Sequence, residues 1–136
     1  VSAVLIRAAL EVALAAMSPA VAIAYENKPY TPVPGTPYHA AFLLLAPPAN
    51  DEIGRAGLYR QDGIFQITLA YPLDAGTGVA AARAELIRTI FYRGASFTAS
   101  GVTVNIERTP EIAPSRIEED RFILPVKVRF YSHLGG

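Results

Sequence analysis

Cysteine is missing from this 136-residue chain, which excludes disulfides and thiolate metal sites and leaves the redox compartment undetermined. A fold without such staples rests on packing alone. Net charge is missing too, because twelve basic residues balance twelve acidic ones. That balance gives no overall pull towards nucleic acid or an anionic membrane, where a clustered basic excess is expected. It also removes the self-repulsion that keeps small proteins apart, which suits a chain that lives in an assembly. Histidine is scarce: His39 and His133 are the only side chains of ordinary neutral-pH acid–base range, and neither has a carboxylate or second histidine at ligand spacing. There is no G-x-S-x-G elbow. The Gly76–Thr77–Gly78 turn lacks the lysine, third glycine and following acid of a nucleotide site and reads as a tight turn before a helix. Asp51 with Glu52 and the run 118–120 fall in loops, where the rigid spacing of paired-carboxylate catalysis is not expected. Residue chemistry therefore points to a non-enzymatic chain with no catalytic, metal or cofactor site.

No apolar run is long enough to span a membrane. The opening VSAVLIRAALEVALAAMSPAVA has the Ala-x-Ala end of a signal peptide at residues 20–22. Arg7 and Glu11 interrupt its centre and Pro19 breaks it, so the expectation is a helix of a mature cytoplasmic protein. What the chain does have is apolar mass: 51% hydrophobic against 18% charged residues. One domain over 1–136 can bury roughly two-thirds of the surface its unfolded form exposes. Ten of the twelve basic residues are arginine, the residue favoured at interfaces, although a GC-rich genome produces the same bias.

The stretch 57–91 organises the chain. Phe65, Ile67, Leu69 and Tyr71 alternate with Gln66, Thr68 and Ala70, the period of a half-buried strand, with Asp62 and Gly63 as a turn or bulge within it. Pro72 ends the strand, and a helix follows over 79–92 with Val79, Leu86, Ile87, Ile90 and Phe91 as its apolar stripe. Arg83 falls within that arc and must snorkel, meet a carboxylate or contact a neighbouring subunit. Upstream, a helix over 3–17 presents Ile6, Leu10, Ala13, Leu14 and Met17 on one face. A short strand over 22–26 follows, then a proline-rich crossing to a strand over 38–45 that is apolar on both faces and so needs cover on both, from the chain or a partner. Residues 46–56 and 109–120 read as long polar loops. Between and after them come 97–99, a strand over 102–108, and a last strand in which Phe122, Leu124, Val126, Val128 and Phe130 alternate with Arg121, Ile123, Pro125, Lys127, Arg129 and Tyr131. That proline suggests an edge or a bulge, and the tail SHLGG is too short to form anything. The fold expected is α+β: an antiparallel or mixed sheet of four to five strands with two helices packed on one face.

Taken together, IRAALEVALAAM, YENKPYTPVPGTPY, GIFQITLAYP, GTGVAAARAELIRTIF, GVTVNIERTPEIAP and FILPVKVRFYS resemble, in order and spacing, the phage tail terminator-like proteins of long-tailed bacteriophages. The resemblance runs over nearly the whole chain and rests on turns and core positions. It implies a compact α+β subunit of a homo-oligomeric ring, usually a hexamer, at the neck of the virion. Such a ring caps the last ring of the major tail-tube protein, ends tube polymerisation and meets the head–tail connector protein. DNA passes through its lumen without sequence-specific binding, and subunits assemble in the host cytoplasm. The family has no catalytic residue to carry over and no membrane role. The outward set Gln66, Thr68, Thr103, Asn105, Glu107, Lys127 and Arg129 would give such a lumen a mixed, weakly basic lining. Assembly contacts are expected at Asp51, Glu52, Arg55, Arg60, Arg83, Arg116, Glu118, Glu119 and Asp120. Two rivals are another neck component, such as a head-completion or connector protein, and a small-ligand binding α+β domain.

Overall fold

A computed structural model describes residues 2–49, 59–73 and 77–134 of the chain. In order they form helix α1 (Ser2–Ala15), strands β1 (Ala22–Tyr25), β2 (Tyr38–Leu45) and β3 (Tyr59–Pro72), helix α2 (Thr77–Ile90), then β4 (Ser96–Ala99), β5 (Val102–Ile106), β6 (Glu111–Ile112), β7 (Arg116–Glu118) and β8 (Arg121–Leu134). All eight strands belong to one sheet of order β1-β2-β3-β8-β5-β4, with β6 and β7 also on β8. Only β1 and β2 run parallel, and every other pairing is antiparallel.

This corrects the α+β expectation of four to five strands with two helices laid on one face. The described residues are mostly β, and the eight-stranded mixed sheet curls into a half-barrel. The difference has a local cause. The segment 109–120 lacks any run of alternating residues, yet β6 and β7 within it pair with β8 through two and three residues each. Backbone pairing to a long neighbour does not require a pattern of its own. Likewise Ser132–Leu134, read as part of a formless tail, continue β8 against Tyr59–Gln61.

The framework is the β3–β8 pair, in register over fourteen residues from Tyr59↔Leu134 to Pro72↔Arg121. Phe65, Ile67 and Leu69 from β3 and Val126, Val128 and Phe130 from β8 are fully or almost fully buried on one face. Each such side chain contributes about 1.5–3 kcal/mol of burial. Ile6, Leu10 and Leu14 of α1 and Ala80, Ala84 and Ile87 of α2 close the same core with Phe91. The buried stripe of α2 is thus Ala80, Arg83, Ala84, Ile87 and Phe91, and Val79 stands 51% exposed. The small Ala80 and Ala84 are fully buried against the core while the neighbouring, larger Val79 faces outward.

Two local features replace simpler expectations. Gly63 is no turn. It lies within β3 opposite Leu45 and Phe130, and a Cβ there would stand 2.6 Å from the Leu44 carbonyl oxygen and 2.6 Å from the Phe130 ring. The strand needs glycine because the aromatic ring occupies the side-chain position. Pro125 does not mark an edge either. It sits in the gap where β8 changes partners, between Val126, paired to β6, and Ile123, paired to β7; its carbonyl accepts from the Ala113 N–H at 2.9 Å.

Candidate assembly surface

The convex face of the sheet is where the fold leaves side chains uncovered. Alternation along β2 sends His39, Ala41 and Leu43 to the core and Tyr38, Ala40, Phe42 and Leu44 outward. Phe42 and Leu44 are 38% and 52% exposed. Among the described residues, the cover expected on both faces of β2 is supplied on one face only. Register places Gln66 and Thr68 of β3 beside Phe42 and Ala40, and Lys127 and Pro125 of β8 beyond them. At one end a shallow depression of about 470 Å³ is bounded by Tyr38, Phe42, Leu44, Arg116, Glu118 and Ile123, among others. The face mixes apolar patches with single charges of both signs, a composition suited to a protein contact.

Of the residues expected to make assembly contacts, Arg116, Glu118, Glu119 and Asp120 lie together at the exposed β7–β8 corner. Arg116 Nε donates to Glu118 Oε2 at 2.6 Å, and Glu119 turns the chain at φ 56°. Asp51, Glu52 and Arg55 lie outside the described residues. Arg60 is engaged within its own subunit: it donates to Asp62 at 2.7 Å and Glu107 at 3.0 Å and stacks 4.1 Å from the centre of the Tyr131 ring. The Asp62 carboxylate beside it raises its pKa further.

Arg83 is 6% exposed and, among the described residues, meets no carboxylate. Its Nη1 donates to the Pro19 carbonyl at 2.7 Å, tying α2 to the segment after α1, while its Nε has no partner among the described residues. Desolvation lowers its pKa. Its charge bears on His39, which is fully buried with neither ring nitrogen hydrogen-bonded to any described residue. Burial, then the Arg83 charge, depresses the His39 pKa to about 3, so the imidazole is neutral. Sequence spacing gave no sign of this pairing, since the two residues are distant in the chain.

Two further polar anchors hold connections in place. Glu26 accepts from the Leu43 N–H at 2.6 Å and from Arg7 at 2.9 Å, joining the end of β1 to β2 and α1. The Leu43 N–H is the main reason its carboxyl pKa is lowered, with Arg7 adding to it against some desolvation. Arg121, 8% exposed, donates to the carbonyls of Thr36 and Val33 and so clasps the proline-rich crossing.

A second concavity lies at the far end of the sheet, an apolar groove of about 530 Å³ between α1 and β4. Sequence reasoning missed it. The available signal was the alanine-rich α1, which carries Val4 and Val12 exposed at 67% and 69%. Among the described residues no group of three or more His, Asp or Glu side chains could hold a metal.

The chain is thus an eight-stranded curled sheet whose core both helices help to close, with Phe42 and Leu44 exposed on the other side of β2. Residues 5–130 match the family described as phage tail terminator protein. The chain belongs to that family, and its role is that of a structural virion protein of the phage tail. Two solved structures have the same fold. One aligns at TM-score 0.74 with 23% identity, covering 96% of this chain and 94% of that chain. The other, the virion of a native gene transfer agent particle, aligns at TM-score 0.65 with 21% identity over 99% and 98% of the two chains. No curated protein matches the chain.

Proposed function

We propose that this chain forms a ring, six copies in the usual arrangement of such proteins, that seats on the last ring of the major tail-tube protein and ends its polymerisation. The opposite side of the ring meets the head–tail connector, and the lumen continues the DNA channel without gripping a sequence. The role is structural rather than catalytic, and subunits meet the growing tail in the host cytoplasm. The observation that carries this reading is family membership across nearly the entire chain. The gene transfer agent virion with the same fold supports it. So does the convex face, where Phe42 and Leu44 stay exposed beside the Arg116–Glu118 corner.

Mixing the purified chain with tail tubes, then measuring mass and imaging tube ends by negative stain, tests the reading. Capped tubes and a ring-sized species are expected, and a chain that stays monomeric and never occupies tube ends refutes it. Arg116→Glu places like charge beside Glu118 on the exposed corner. We expect at least a tenfold loss of ring or tube association with the circular dichroism spectrum unchanged. Loss of that spectrum would mark Arg116 as a folding residue instead.

A further inference from the structure

We propose that copies of this chain join edge to edge, with the open side of β1 on one copy pairing with the open side of β4 on the next. The inference rests on the ring reading and names the interface that would build it.

Strands β1 and β4 close the two ends of the strand order, and no described strand pairs with the outer side of either. An open edge presents unpaired N–H and C=O groups, and proteins blunt such edges with charge, proline or bulges. Brevity is the one blunting device seen here: β1 reads AIAY and β4 reads SFTA, four residues each, without a charge or a proline to repel a second strand. The exposed strand β7, by contrast, carries both Arg116 and Glu118.

Geometry fixes which groups β4 offers. Ser100 and Gly101, at φ 46° and 85°, form a two-residue turn between the paired Ala99 and Val102. In such a hairpin the closing pair exchanges hydrogen bonds, and alternation assigns the next exchange to Phe97 and Val104. The backbone groups of Ser96 and Thr98 therefore face away from β5. All four β4 residues line the 530 Å³ groove, whose other wall is α1 with Ala8, Val12 and Ala16, and no charged residue lines it. A strand entering there finds backbone partners on one side and an apolar helix on the other.

The occupant must be extended, uncharged and short, because a buried charge without a partner is strongly disfavoured. The β1 edge of a second copy meets all three conditions. The two surfaces differ, so the contact is head-to-tail, the type that generates rings when successive rotations close. Curling of the sheet supplies the rotation, since the two edges of a curled sheet do not point in opposite directions.

Cross-linking gives a direct test, made clean by the absence of native cysteine. Ala24 of β1 and Thr98 of β4 lie on the convex side of their strands, as register with Ala40 and Thr103 requires. The double variant Ala24→Cys, Thr98→Cys, treated with a short bismaleimide under ring-forming conditions, should give a covalent ladder, whereas each single variant should give none. Thr98→Pro removes an outward N–H without touching the β4–β5 ladder, and Val12→Glu places a charge in the groove from an exposed helix position. Each should weaken assembly at least tenfold with the circular dichroism spectrum unchanged; Val12→Glu decides if the proline variant misfolds. Rings that form without a ladder, and that survive Val12→Glu, overturn the edge pairing and leave the ring reading standing. A wild-type chain that forms no ring beside tube ends overturns both.

Discussion

His39 shows how one residue sets the acid limit of the fold. Its pKa falls from 6.5 to about 3 on burial, so between those values the unfolded chain binds a proton that the folded chain does not. Stability is then complete above about pH 6.5 and declines as pH falls towards 3. The expected loss is about 2 kcal/mol between pH 6.5 and 5. Urea unfolding across that range should show it, and His39→Leu should flatten the dependence. Arg83, whose charge bears on His39, does not titrate in the window, and neither does Tyr71, which interacts with Arg83 and whose hydroxyl pKa is raised by burial. Glu26 adds a separate decline only as pH falls through and below 4.5, because its folded pKa is lowered. Gly63 is equally particular. Gly63→Ala should cost about 2–3 kcal/mol in chemical denaturation, an overpacking penalty that a flexible neighbour cannot relieve. Adding Phe130→Leu should recover only part of it, since the Leu44 carbonyl remains in the way.

At the scale of elements, the long alternating strands, the two helices and the short β1 and β5 were legible, and β6 and β7 were not. Phe65, Ile67, Leu69 and Tyr71 announce β3 because one face of it is wholly buried, and the same holds for the core side of β8. Val79 misleads in the opposite sense: hydropathy favours it for the buried stripe, but the buried position belongs to Ala80. The β6 and β7 segments are invisible because their order comes from β8, not from their own residues. Of the candidate surface, the Arg116–Asp120 corner could be read as exposed and charged, whereas the engagement of Arg83 with Pro19 and of Arg60 with Glu107 and Tyr131 depends on neighbours remote in sequence. The proline-rich crossing makes the same point. Its stiffness is evident from four prolines, but its place is set by Arg121, which holds the carbonyls of Val33 and Thr36. Arg121→Ala should speed amide exchange in residues 30–36 and cost about 1.5–3 kcal/mol, the usual range for hydrogen bonds to a charged group. Arg121→Lys should not restore protection, because an ammonium lacks the fork that reaches two carbonyls at once.

For the whole molecule, the β3–β8 pair has a mechanical consequence. Fourteen paired residues at about 3.4 Å each make a ribbon on the order of 45 Å long, crossed by rungs perpendicular to it. Tension applied along the strands from opposite ends loads those rungs together, in shear. Tension applied across the four-residue β4 edge peels them one after another. A subunit built this way yields first at its rim and last along its spine, so the ring proposed above would part between subunits before any one of them came undone.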